Sequence, residues 1–198
     1  MKNFNLNTLI NPSSPKMFPQ KGRILIAEPF MQGFYFSRSI ILITEHNKEE
    51  TIGLVLNKTS DINTNELIDY IPNFKGILNL GGPVEPNTLH YIHTLNDFIP
   101  GSTKITDTIY YGGDIEILIS LIKKNIANSN TVRFFAGYTG WAAKQLETEL
   151  DENSWIVSTL EDNKIMLMNS NSAGKESVEG LGYKYRLWIN IPQQPSFN

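Results

Sequence analysis

Three runs in the first third of the chain, "RILIAEP" (23–29), "SIILITE" (39–45) and "IGLVLNK" (52–58), are apolar at nearly every position. Side chains alternate across a strand, so such runs belong to strands covered by protein on both faces. About nine and six residues separate them, fewer than the dozen or more that a parallel crossover needs. The three are therefore expected to form an antiparallel meander at the centre of a sheet.

Further along, the pattern changes period. In "NTNELIDYIP" (63–72), Asn63 and Glu66 have capping-box spacing, Leu67, Ile68 and Ile71 share a side and Pro72 is a stop, which predicts a short helix. "ILNLGGPVEP" reads as a strand broken by Gly81, Gly82 and Pro83, with further strands at "TLHYIHT" (88–94) and "KITDTIYY" (104–111). In "DIEILISLIKKNIAN" (114–128), Asp114 can cap and Ile115, Leu118, Ile119, Ile122 and Ile126 recur at helical spacing. This predicts the main packed helix. A strand at 131–137, a helix at 141–151 and a strand in "SWIVSTL" (154–160) follow. Residues 161–180 are rich in Asn, Ser and Gly and read as a mobile loop around one short helix. The alternation in "YKYRLWINIP" (183–192) predicts a last strand, with Lys184, Arg186 and Trp188 on its wetter face. Pro12, Pro15 and Pro19 make residues 1–20 an irregular arm, leaving 21–198 as one domain.

One junction suggests a site. "GYTGW" (137–141) sets Tyr138 and Trp141 against two glycines just where a strand gives way to the predicted helix. A helix N-terminus fed by a glycine turn presents free N–H groups to an anion. The predicted first turn, "WAAK", carries no acid, whereas Glu147, Glu149, Asp151 and Glu152 crowd the far end, against the macrodipole. A small anion or the carboxylate of a protein partner would correct that imbalance. The competing interpretation is architectural: Gly137 and Gly140 permit the turn, and Tyr138 and Trp141 plug the core.

Composition narrows the chemistry. With 198 residues, 40% apolar, and a formal charge of -3, the chain has no basic field to attract nucleic acid or anionic lipid. It has no cysteine, hence no disulfide, thiolate nucleophile or sulfur-ligated metal, which suits a reducing cytoplasm. The first 20 residues lack a continuous apolar signal region, and no run approaches the roughly 18 apolar residues of a membrane span. A soluble cytoplasmic protein is expected. Of the three histidines, His90 and His93 are an odd number apart and face opposite ways on a strand, so no metal site or other cofactor is expected. Ser39 and His46 cannot meet within one strand, being roughly 23 Å apart. No phosphate-loop or dinucleotide fingerprint is present.

Taken in order, "KGRILIAEP", "FSRSIILITEH", "GLVLNK", "NLGGPVEP", "LH" at 89–90, "GYTGW" and "KQLETEL" resemble the YqgE/AlgH family of bacterial proteins. The resemblance implies an α+β fold with a mixed, mainly antiparallel, partly barrel-like sheet and three to four packed helices. It implies no settled activity; one branch bears a name tied to alginate production and the label of transcriptional regulator. The residues here that match family signatures and could touch a ligand are Arg38, Asn57, His90, Gly137, Tyr138, Gly140 and Trp141. Lys58 departs from the family pattern, where arginine is common. The expectation is a non-enzymatic binding or regulatory protein for a small anion or a protein partner. The alternative is an enzyme acting on a small anionic substrate through Arg38, Asn57, His90 and Glu147 near the 137–141 turn.

Overall fold

The computed structural model describes residues 17–28, 30–63 and 74–168. The helix expected at 63–72, the strand at 183–192 and most of the N-terminal arm lie outside the described residues. Ten strands join in one sheet: β1 (Ile24–Ala27), β2 (Ile40–His46), β3 (Glu50–Val55), β4 (Thr59–Asn63), β5 (Ile77–Leu80), β6 (Val84–His93), β7 (Thr103–Lys104), β8 (Tyr110–Tyr111), β9 (Val132–Ala142) and β10 (Trp155–Ser158). Three α-helices accompany them among the described residues: α1 (Ile115–Lys123), α2 (Gln145–Asp151) and α3 (Asp162–Leu167).

The expected meander is present, with β1 antiparallel to β2 and β2 to β3. The full path is β10-β1-β2-β3-β9-β6-β8-β7, and β5 joins β9 in parallel, carrying β4 beyond it. β9 organises the whole. Its first half pairs with β5 on one edge and β6 on the other, and its last four residues pair with β3. The architecture is α+β and mostly antiparallel. The barrel-like expectation is not met among the described residues: β10 and β7, the ends of the path, do not pair. α3 packs Ile165 and Met166 against the cluster that the two halves of the sheet share, so a helix covers part of that face.

The two-sided apolar runs explain the layering. Ile24, Ile26, Ile40, Leu42, Leu54, Ile92 and Phe135 form one cluster drawn from both halves of the sheet. Their alternating neighbours go to the other face, which splits into two. Phe134 and Tyr91 pack under Leu118 and Ile122 of α1, while Leu25, Ile41, Val55, Trp141 and Trp155 pack under Leu146 of α2.

Three boundaries differ from the pattern. α1 is capped by Asp114, whose carboxylate accepts from the N–H groups of Glu116 and Ile117, as the sequence suggests. It ends at Lys123, however, so Ile126 is exposed, and Ile115 is exposed too. The single strand expected at 104–111 is a hairpin of β7 and β8, closed by Asp162, which accepts from both Thr106 and Thr108 hydroxyls. The helix expected from Trp141 starts at Gln145, because residues 139–142 still have a strand partner in β3. No helix among the described residues is long and apolar enough to cross a membrane.

Candidate functional site

The glycines come first, because they decide what the 137–141 segment is. β5 lies on one edge of β9, with Leu78 beside Phe134 and Leu80 beside Ala136; Val84 of β6 lies on the other edge, beside Tyr138. Gly81, Gly82 and Pro83 must therefore cross β9, and they do so in backbone contact. A Cβ on Gly81 would lie 2.1 Å from the Gly137 carbonyl oxygen, and one on Gly82 would lie 2.1 Å from that of Tyr138. Gly137 reciprocates with φ +66°, and a side chain there would meet the Val84 carbonyl oxygen at 2.6 Å. "GGPV" and "GYTG" are thus two halves of one crossing.

The helix N-terminus on which an anion site was expected therefore does not lie at 137–141. Gly140 has no left-handed φ and an added Cβ would touch only the Tyr138 ring, at 3.5 Å. Lys144 turns the chain at φ 64° before α2, and Gln145 accepts the Ala142 N–H. Trp141 is 4% exposed and packs edge-on to Trp155. Both indole N–H groups donate to Glu149 Oε2, at 2.9 and 2.7 Å, while Gln145 Nε2 donates to Oε1. Trp141 is therefore the plug, and the helix residues of the "QLETEL" signature serve it. Glu147 is exposed on α2.

His90 and Tyr138 do meet, on the opposite face from Trp141. The His90 ring stacks on Tyr111 and meets Tyr138 edge-on, with centroids 5.4 Å apart. Nδ1 is 2.6 Å from the Tyr111 hydroxyl, and Nε2 is buried without a hydrogen-bond partner. Burial holds the imidazole below its usual pKa, partly offset by Glu85; burial, with Tyr138 and Glu45 nearby, pushes the Tyr111 phenol up. Both are neutral near pH 7. His93 contrasts with it: fully buried, its Nε2 lies 2.9 Å from Ser102 Oγ and 3.1 Å from the Gly112 carbonyl, and Nδ1 accepts the Leu95 N–H.

Arg38 and Asn57 form a third place. Asn57 Oδ1 accepts from Ile40 N–H and Nδ2 donates to the Arg38 carbonyl, both at 2.9 Å, fixing the entry to β2 where Arg38 takes φ 56°. Among the described ion pairs there is none between Arg38 and Glu28, its cross-strand neighbour by register; Glu28 N–H instead bonds the Ser154 carbonyl. Lys58 is half-buried beside Arg38, and both burial and the guanidinium pull its pKa down. Close by, Arg133 is 5% exposed and donates to the carbonyls of Leu56 and Ile165 and to Asn79 Oδ1, with Phe135 beneath it. Burial brings its guanidinium down to about 9, still a cation at neutral pH.

The seven sequence-derived candidates thus divide three ways: Arg38 with Asn57, His90 with Gly137 and Tyr138, and Gly140 with Trp141. Tyr111, Lys58, Arg133 and Glu149 escaped selection. Arg133 alone carried a signal, a charge inside the apolar run "TVRFFA". Ser39 Oγ is buried without a partner and His46 bonds Thr51, so Ser39 and His46 do not pair. Among the described residues no three His, Asp or Glu side chains gather as a metal site.

A family profile described as AlgH-like matches residues 24–186. A UPF0301 protein of Bacteroides thetaiotaomicron is 40% identical over 189 residues, covering 93% of this chain and 94% of that one. One from Parabacteroides distasonis is 41% identical over 184 residues, covering 92% and 93%. Two solved structures share the fold: a protein from Corynebacterium diphtheriae (TM-score 0.72, 22% identity, covering 90% and 96%) and the AlgH protein of Pseudomonas aeruginosa (TM-score 0.68, 21% identity, covering 92% and 100%). The chain belongs to the YqgE/AlgH family.

Proposed function

We propose that this chain is a non-enzymatic binding or regulatory protein of the cytoplasm whose ligand contacts the His90–Tyr111–Tyr138 cluster. The observation that carries this is the buried Nε2 of His90, left without a partner while Nδ1 is engaged by Tyr111. With both groups neutral, the phenol donates to Nδ1 and the ring proton resides on Nε2, a donor without an acceptor. A buried donor left unmade costs about 1–3 kcal/mol. An oxygen on a small anion or carbonyl compound would satisfy it, and the two tyrosine rings give that ligand apolar walls.

An enzyme needs a nucleophile or base, its orienting group and the substrate in mutual reach. The polar residues that would have formed one are dispersed: Arg38 and Asn57 flank the start of β2, His90 faces the shared cluster, and Glu147 sits on the helix of the other face. The charge of -3 argues against DNA as the direct ligand, so any regulatory role is better served through a small molecule or a protein.

The test is a thermal-shift screen of small carboxylates and carbonyl compounds, followed by the imidazole ¹⁵N signals of His90. A true ligand moves the Nε2 signal, and His90→Phe, folded, weakens binding tenfold or more. A ligand that stabilises wild type and His90→Phe equally would remove this cluster as the site.

A further inference from the structure

We infer that the ligand of the His90–Tyr111–Tyr138 cluster is a small ammonium compound with its oxygen acceptor close to the charge, of the betaine, amino-acid or amino-amide type. The inference rests on the proposed role of that cluster and adds the positive charge that its ligand brings. Two carboxylates border the cluster. Glu45 pairs with Ile52 and Ile52 with Gly140, so these positions form one row on one face of β2, β3 and β9. Tyr138, two residues from Gly140, shares that face, and its ring leans over Gly140, where an added Cβ would meet it at 3.5 Å. Two strand spacings, roughly 10 Å, separate the backbone of Glu45 from the glycine under that ring. The sheet also curls. Gly22 N–H donates to the Ile43 carbonyl, and a Cβ on Gly22 would lie 2.8 Å from the carbonyl oxygen of Ile105 in the β7–β8 hairpin. The Glu45 end of β2 is thereby turned toward Tyr111 of β8. Glu85 comes from the other side, in the bulge of β6 that passes Gly137. Its carboxylate accepts from the Thr88 hydroxyl at 3.4 Å, and Thr88 shares a face of β6 with His90, two residues on.

Neither acid is spent on a cation. Glu45 accepts from the Asn47 amide and Glu85 from the Thr88 hydroxyl, both neutral donors, and the described ion pairs, Lys104–Asp107 and Lys164–Glu161, involve neither. The imidazole adds no positive charge, because burial keeps it neutral against the pull of Glu85. A ligand oxygen that accepts from Nε2 therefore enters a place bordered by carboxylates and aromatic rings. A simple anion meets like charge there, whereas an ammonium group on the same molecule is attracted to both acids and to a tyrosine face. Both carboxylates are exposed, so water and salt weaken each attraction and the resulting preference is several-fold.

The probes are glycine betaine and 3,3-dimethylbutyrate, which has the same shape and carboxylate but carbon in place of the ammonium nitrogen. Each is titrated into ¹⁵N-labelled full-length protein at constant ionic strength and slightly alkaline pH, with the His90 Nε2 signal as readout. Betaine is expected to shift Nε2 saturably and to bind about fivefold or more tightly than its carbon isostere, and Glu45→Gln with Glu85→Gln should abolish that preference. Equal affinities, or tighter binding of the isostere, would overturn the ammonium and leave the cluster as the site. A preference that survives the double substitution would overturn the role of the two acids. An Nε2 signal that betaine, glycine, glycinamide and the isostere all fail to move would overturn this inference and the reading of the cluster together.

Discussion

The crossing at Gly81–Gly82 over Gly137–Tyr138 and the corner at Leu56–Lys58 lie within one sheet and are closed by different means. At the crossing, backbone meets backbone: Gly81 N–H is bonded to the Ala136 carbonyl and its own carbonyl accepts the Val55 N–H. Atoms there are matched to one another, and the geometry excludes a Cβ. At the corner side chains do the joining: Asn57 bonds the main chain at Arg38 and Ile40, and the Leu56 carbonyl accepts from Arg133. The glycine signature joins strands by close backbone approach, whereas the corner is joined by polar side chains reaching the main chain.

The sharpest way to break this comparison is to add a methyl group to the crossing. Gly82→Ala places Cβ 2.1 Å from a carbonyl oxygen that is part of β9, where no flexible side chain can yield. Gly137→Ala adds left-handed strain to a 2.6 Å clash. Each is expected to remove about 4 kcal/mol or more in urea melts, the range of exceptional mutations. Gly140→Ala, in ordinary contact with Tyr138, should change stability by under about 1 kcal/mol. Equal losses at Gly137 and Gly140 would mean that the crossing is not where the constraint lies.

Next in size is the aromatic plug. Trp141→Ala should destabilise by about 3–5 kcal/mol, as a buried aromatic cavity does. Phosphate should leave the tryptophan fluorescence of the native protein unchanged through Trp141, whose indole is already bonded to Glu149. Glu149→Ala strands two indole donors and should cost about 2 kcal/mol, tempered by water at a half-buried carboxylate. A Glu149→Ala protein as stable as wild type, with the same near-ultraviolet dichroism, would show that the two indoles do not need that acceptor.

How far the sequence reached follows the same division. The runs at 23–29, 39–45 and 52–58 announced β1, β2 and β3, because burial on both faces leaves no other pattern; Asp114 announced α1 because a cap is local chemistry. The 137–141 segment reads as a turn in sequence because the reason for Gly137 lies some fifty-five residues away, at Gly81 and Gly82, and no local rule connects them. Trp141 consequently fell in a helix on paper and in a strand in the fold. His90 and Tyr138 were legible as candidates, but Tyr111 was not, since only the pairing of β6 with β8 brings it to the imidazole. The bonding of Asn57 to the main chain at Arg38 and Ile40 likewise depends on how β2 and β3 pair, which composition does not contain.

The smallest effect concerns pH and tests the His90 end directly. His90 and His93 both have folded pKa values held below the usual 6.5 or so by burial. Below that value the unfolded chain takes up protons that the folded chain refuses, so stability is full above about pH 6.5 and declines as pH falls toward the folded values. Each histidine can contribute a slope of up to about 1.4 kcal/mol per pH unit. Glu85 opposes the shift at His90, whereas the Gly112 carbonyl opposes it at His93. His90→Phe keeps an aromatic ring against Tyr111 and Tyr138 and should flatten the decline between pH 6.5 and 5 in urea melts, leaving the share due to His93. An unchanged slope would mean that His90 titrates alike folded and unfolded, and its Nε2 would then have found a partner in water. An anionic ligand accepting from Nε2 should flatten the wild-type slope in the same way, because it favours the protonated ring in the folded state.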